Sequence, residues 1–156
     1  MRSLFGLTAI ATVAGVPCAQ AADVLFQGTL DSICILGLTT PGTLGVDAEG
    51  RLSSAAGLPG TVTVLTTGGT RLNVKAPVWT QTPAAYSSGG EVFEYSYLGL
   101  SGLGVANVDW TSANSDVALP VLPLSILTVN ARAANPSDSW VDGTYQMKVE
   151  VTCSAS

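Results

Sequence analysis

From Ile126 to Arg132 the chain alternates without a fault, with Leu127, Val129 and Ala131 on one side and Thr128, Asn130 and Arg132 on the other. The same period of two governs the end of the chain. There Tyr145, Met147, Val149, Val151 and Cys153 oppose Gln146, Lys148, Glu150 and Thr152. Such a period is what a strand shows when one face lies on a core and the other meets water. The spacing therefore predicts a continuous terminal strand within Gly143–Ser154, with Cys153 turned inward. A first strand is expected over Val24–Leu36, bent or bulged at Gly28 because glycine weakens regular pairing. In its register Leu30, Ser32, Cys34 and Leu36 share a face.

Between these ends, strand patterns recur between Gly, Pro, Ser and Asn breaks. Short stretches around Leu44–Val46 and Arg51–Leu52, after the turn at Thr40-Pro41-Gly42, fit more than one element. Thr61–Thr66 follows Pro59-Gly60 and meets Arg71–Lys75 across Gly68-Gly69, which predicts a hairpin. Pro77 and Pro83 bound an irregular crossing that holds Trp79. Within Glu91–Leu98, Phe93, Tyr95 and Tyr97 share a face suited to core or cross-strand packing. Val117–Leu124 carries Pro120 and Pro123 and so suits a sheet edge or the lead into a strand. Gly99–Gly104 and Asn135–Ser139 read as loops. No helical pattern with caps reaches ten residues beyond the N-terminal segment. The fold class is all-β, a single antiparallel sandwich.

The first residues change the picture of where this domain resides. Met1-Arg2-Ser3, an apolar run from Leu4 to Val16, Pro17 and the triplet Ala19-Gln20-Ala21 have the order of a secretory signal peptide. The run is shorter than the roughly 18 residues that a membrane span needs. The expectation is a signal peptide at 1–21, a single domain at 22–156, no stable membrane span, and a product that is secreted to the periplasm, cell surface or medium. Cys18 leaves with the signal, so Cys34 and Cys153 remain in a disulfide-permissive setting. One bridge is the economical reading, and two separate buried thiols are the alternative. A bridge ties the first strand to the last.

Charge and composition narrow the chemistry. Without Arg2, eleven acidic side chains face only Arg51, Arg71, Lys75, Arg132 and Lys148, a net charge near −6. Such a domain offers phosphates no basic face, which argues against nucleic acid and anionic membrane surfaces as partners. Histidine is absent from the sequence, removing the commonest general base and the commonest metal ligand together. Glu91 and Glu94 stand at an odd spacing and point to opposite sides of a strand. Asp138 and Asp142 read as solvated loop residues. Asp47 and Glu49 lack the alternating ligand spacing and terminal Glu of a calcium loop. The reading is of no enzyme, with no catalytic, cofactor-binding or metal residues.

The layout resembles the spore coat protein U-like pilin subunits of archaic chaperone-usher pili. The matching pieces are Phe26-Gln-Gly-Thr-Leu-Asp-Ser-Ile-Cys34, Gly42-Thr-Leu-Gly45, the glycine-led Gly60-Thr-Val-Thr-Val-Leu65 running into Arg71-Leu-Asn-Val-Lys75, and the closing Gly143-Thr-Tyr-Gln-Met-Lys-Val-Glu-Val151. The resemblance implies an immunoglobulin-like sandwich that lacks one strand, in a secreted structural subunit of a bacterial surface fibre or pilus. It further implies polymerisation by strand addition, with Val24, Phe26 and Leu30 in the donated segment. The implied partners are further copies or other fibre subunits, a periplasmic chaperone and an usher. Where the family places its second cysteine, this chain has Leu65-Thr66-Thr67. The alternative is a self-complete secreted or periplasmic sandwich that binds a ligand or partner through Trp79, Trp110 or Trp140.

Overall fold

The computed structural model describes residues 32–99, 107–119, 121–137 and 139–155. The expected signal peptide at 1–21, the segment holding Val24, Phe26 and Leu30, and most of the glycine-rich stretch after Gly99 lie outside the described residues. Among those described there are twelve strands, all paired antiparallel, and no helix.

The ambiguous early segments form one long, kinked hairpin. β1 (Cys34–Thr40) and β2 (Thr43–Val46) run out, and β3 (Leu52–Leu58) and β4 (Gly60–Thr66) run back. Thr40 pairs with Thr61, and Thr43 with Leu58. Pro41 and Pro59 therefore interrupt the two sides at facing positions, as expected of residues that cannot donate to a ladder. At the tip, Asp47 accepts from the backbone N–H groups of Glu49 and Arg51 (3.1 and 2.8 Å), and its other oxygen takes Arg51 Nε at 2.8 Å. The Asp47–Glu49 pair is thus the clamp of a turn, with Gly50 at φ 76° inside it.

β10 (Leu122–Ala134) is the spine of this sheet. One edge takes β7 (Val92–Gly99) from Leu127↔Gly99 to Ala134↔Val92, and β8 (Val108–Thr111) pairs on the far side of β7. The other edge takes β4 up to Val129↔Gly60 and then β3 at Arg132↔Ser53 and Ala133↔Leu52. Between those contacts the chain swings away from β10 over residues 54–59. Ser54 fills the gap. Its hydroxyl accepts from Ala131 N at 3.0 Å and donates to Asn130 Oδ1 at 3.0 Å. Replacing Ser54 by alanine orphans a buried amide. It is expected to lower stability by about 1–3 kcal/mol in urea denaturation, the cost of an unsatisfied buried donor.

The facing layer contains β5 (Thr70–Val74), β6 (Val78–Gln81), β9 (Ser115–Leu119), β11 (Gln146–Lys148) and β12 (Val151–Ala155), ordered β12-β5-β9 and β11-β6. Three expectations are corrected here. The Gly68-Gly69 turn is no hairpin, because β4 and β5 belong to different sheets. With φ at 105° and 60° the two glycines carry the chain across the sandwich. The buried hydroxyls of Thr66 and Thr70 pin that corner at 2.7 Å. The final strand is also not continuous. It divides into β11 and β12 opposite the break that Lys75-Ala76-Pro77 makes between β5 and β6, and Lys75 N donates to Glu150 O at 3.0 Å across the gap. Trp79, expected in an irregular crossing, lies within β6.

Between the layers sit Leu72, Val74 and Leu119 from one side and Val64, Tyr95, Tyr97, Leu127 and Val129 from the other. The phenols in this core find partners, as buried polar groups must. Tyr95 O–H is within 3.0 Å of Val74 O and 2.9 Å of Ala113 O, and the Tyr97 hydroxyl meets Ser115 Oγ at 3.0 Å. The alternation expected of 126–132 holds, with Leu127, Val129 and Ala131 buried. β9, which precedes Pro120, is an edge strand as its proline implied.

Candidate functional site

The hairpin row β1–β2 is one edge of the seven-stranded sheet, and β12 and β11 are edge strands of the facing layer, opposite its other edge strands β9 and β6. Among the described residues, β1 pairs only with β4, β2 only with β3, β12 only with β5 and β11 only with β6. Two strand edges without strand partners therefore flank the same side of the sandwich. Cys34 and Cys153 join them in a disulfide with Cα atoms 5.9 Å apart. The terminal thiol thus reaches back to the first strand, as the shared inward faces predicted.

Away from the bridge the layers part into a groove of about 770 Å³. Val62, Val129 and Ala131 line it from the large sheet, and Met147, Val149 and Val151 from the opposite wall. Its rims are Thr39–Leu44 and Thr144–Lys148. Pro41 interrupts one rim and the exposed Lys148 stands on the other, both features that restrain indiscriminate pairing of an open edge.

The four residues expected on the core face of the last strand, Tyr145, Met147, Val149 and Val151, all line this groove. They are half-buried, not sealed, because what they face is the groove. Val149, Val151 and Cys153 also pack against the core cluster. The opposite wall, made by Val62 and the buried Val129 and Ala131, is not marked by the sequence, since only the pairing order brings these residues to the groove. The facing prolines 41 and 59 were the available sign that these rows bend away from the rest of the sheet.

At the mouth of the groove Tyr145 joins an aromatic cluster. Its ring lies 5.5 Å from Trp79, 5.4 Å from Trp140 and 5.3 Å from Tyr86, and Phe93 packs on Trp79 at 5.2 Å. Trp140 Nε1 donates to Gly50 O at 2.7 Å, tying the cluster to the hairpin tip. Trp79 and Trp140 spend their faces and edges on one another and on their neighbours. The Trp110 ring is covered by the Arg132 guanidinium, 4.2 Å from its centroid, which in turn pairs with Glu94 at 2.7 Å. Each of the three tryptophans is half-buried and packs against neighbouring side chains.

Glu91 anchors the cluster's loop. It accepts from Tyr86 O–H at 2.5 Å and Gly89 N at 2.8 Å. The Tyr86 hydrogen bond above all holds the Glu91 carboxyl below its ordinary value of 4.5. Burial, then Glu91, pushes the Tyr86 phenol up. Trp79 Nε1 is buried without a hydrogen-bond partner, yet it stands close enough to Glu91 to favour the carboxylate. Because the folded value is depressed, Glu91 contributes stability that is present above about pH 4.5 and lost as pH falls through the folded value. Glu91→Gln is expected to flatten that segment of a melting-temperature profile against pH, leaving the neutral limb less stable than the parent's.

No helix among the described residues is long and apolar enough to cross a membrane. No protein-family model, curated protein or solved structure matches the chain.

Proposed function

We propose that this chain is an exported structural subunit of a bacterial surface fibre, with an immunoglobulin-like sandwich one strand short that a neighbouring subunit completes. The observation that carries this reading is the pair of strand edges, unpartnered among the described residues, that flank one apolar groove. Open edges invite strand pairing, and a protein that keeps two of them beside an apolar floor has the means to receive an extended segment. The fit in length supports it. The groove wall Thr144–Val151 is eight residues long, and Val24–Leu30 supplies seven, with Val24, Phe26 and Leu30 in phase for one face. The disulfide accords with an oxidising compartment, where a chaperone would keep the groove covered until an usher exchanges it for the next subunit.

The bridge also limits the register. A strand laid between two others needs them roughly 9.6 Å apart, twice the usual spacing of about 4.8 Å. The 5.9 Å between Cys34 and Cys153 admits none. A donated segment stops short of the bridge and lies against Thr39–Leu44. The same clamp favours the second reading, a self-complete sandwich whose groove takes a small apolar ligand. Deleting residues 22–30 separates the two. On the fibre reading export continues and assembly stops, while a self-complete binder keeps its behaviour.

A further inference from the structure

The outer face of the seven-stranded sheet is graded along its strands. At one end Arg132 pairs with Glu94. Asn130 then stands opposite Ser96, and Thr61 opposite Thr128. Beyond these the polar residues nearly stop. Ile35 lies directly across from Leu65, Ile126 across from Thr63 and Leu98 across from Thr128, while Leu124 continues the outward series of β10. All five apolar side chains are exposed, Ile35 at 51% and Leu124 at 70%. They form one patch across β1, β4, β10 and β7. Contiguous apolar patches of roughly a few hundred Å² are the upper end of what a monomer leaves in water and mark interaction sites.

We infer that this apolar half-face is a second subunit–subunit contact, covered by the same neighbouring copy that receives the Val24–Leu30 segment. The inference rests on the strand-addition reading. The occupant follows from where the outlying chain joins the fold. Only Asp31 and Ser32 separate Leu30 from Ile33, itself exposed on the same side as Ile35. Three residue steps reach about 10 Å at most. Once Leu30 is seated in a neighbour's groove, the Ile33–Ile35 corner of the patch is held against that neighbour's surface. Five side chains fall well short of the roughly 20–30 residues a side of a stable complex. It cannot join two copies alone and adds to a contact that the strand has made.

The test uses the whole exported chain with Ile35→Thr, Leu65→Thr and Leu124→Ser together, substitutions that respect strand propensity and leave the charge unchanged. Fibre growth is followed by light scattering, and the melting temperature is taken in a Phe26→Asp background that cannot donate its segment. The expected result is that the protein concentration needed for growth rises on the order of tenfold, with an unchanged melting temperature. Growth equal to the parent's, while deletion of 22–30 still abolishes it, overturns the contact and spares strand addition. A melting temperature lowered by several degrees also overturns it, since the patch is then covered by the chain's own residues. Growth that survives deletion of 22–30 removes the strand-addition reading itself.

Discussion

Replacing Cys34 and Cys153 together by serine lowers the unfolding free energy by about 5 kcal/mol. The bridge spans 119 positions of the sequence. In the chain-entropy account a loop of that length confines the unfolded ensemble far more than a short one, while the folded state loses only the tie between two edges. Small domains are stable by about 5–15 kcal/mol, so the reduced protein sits near the limit of folding. The structural setting adds to the effect. Cys34 begins β1 and Cys153 lies in β12, on two edges that no strand among the described residues joins. Guanidinium titrations of the oxidised and reduced protein measure this directly. A difference below about 1 kcal/mol would mean that the edges are held by something other than the bridge.

The second large effect is on assembly. Phe26→Asp stops fibre growth at concentrations where the parent grows, and does so without altering the melting temperature of the unassembled protein. Burying a phenylalanine side chain contributes about 1.5–3 kcal/mol, and an unpaired carboxylate against Val62, Val129 and Val151 costs several more. Together these amount to a loss of at least about a hundredfold in affinity for the groove. Val24 and Leu30 have smaller side chains, and their aspartate variants weaken growth less. Sedimentation velocity on freshly refolded protein reads the assembly, and a thermal scan of the same sample reads the melting temperature. A Phe26→Asp protein that polymerises as the parent does places the donated segment elsewhere.

The legible part of this fold was whatever depends on period two. Leu127, Val129 and Ala131 were read as inward, and so were Tyr95 and Tyr97, because alternation survives any choice of strand partners. The bridge between Cys34 and Cys153 was legible for the same reason, since two inward faces and two cysteines leave few arrangements. Partner identity was not. Gly68-Gly69 has the composition of a hairpin turn, yet Thr66 and Thr70 are buried and bonded to each other, which suits a corner between layers. The local sequence is compatible with both, and the pairing of β5 with β12 and β9 decides. The break between β11 and β12 was hidden because Met147, Val149 and Val151 keep alternating through it; the cause lies in Pro77, on the neighbouring row.

The candidate site was half legible. Tyr145, Met147, Val149 and Val151 were marked by their pattern, although as a buried face and not as one wall of a groove. Their incomplete burial follows from the groove they face, and no residue in a strand encodes what lies across from it in the other layer. The tryptophans were ambiguous between ligand platform and packing, and only their distances to one another and to neighbouring side chains show the packing. Trp79 and Trp140 are each ringed by aromatic partners, and Trp110 lies under Arg132.

Fibre growth by strand addition requires that the groove receive an extended apolar segment. The most direct measurement is a calorimetric titration of the oxidised Phe26→Asp chain with a synthetic peptide of residues 22–31, followed by a melting scan of the mixture. Saturable binding of one peptide per chain is expected, with stability raised by about 2.7 kcal/mol at a hundredfold excess over the dissociation constant. A peptide with aspartate at positions 24, 26 and 30 has no effect. No heat and no change in melting temperature with the natural peptide, from a chain that unfolds reversibly as a stable monomer, would contradict strand addition.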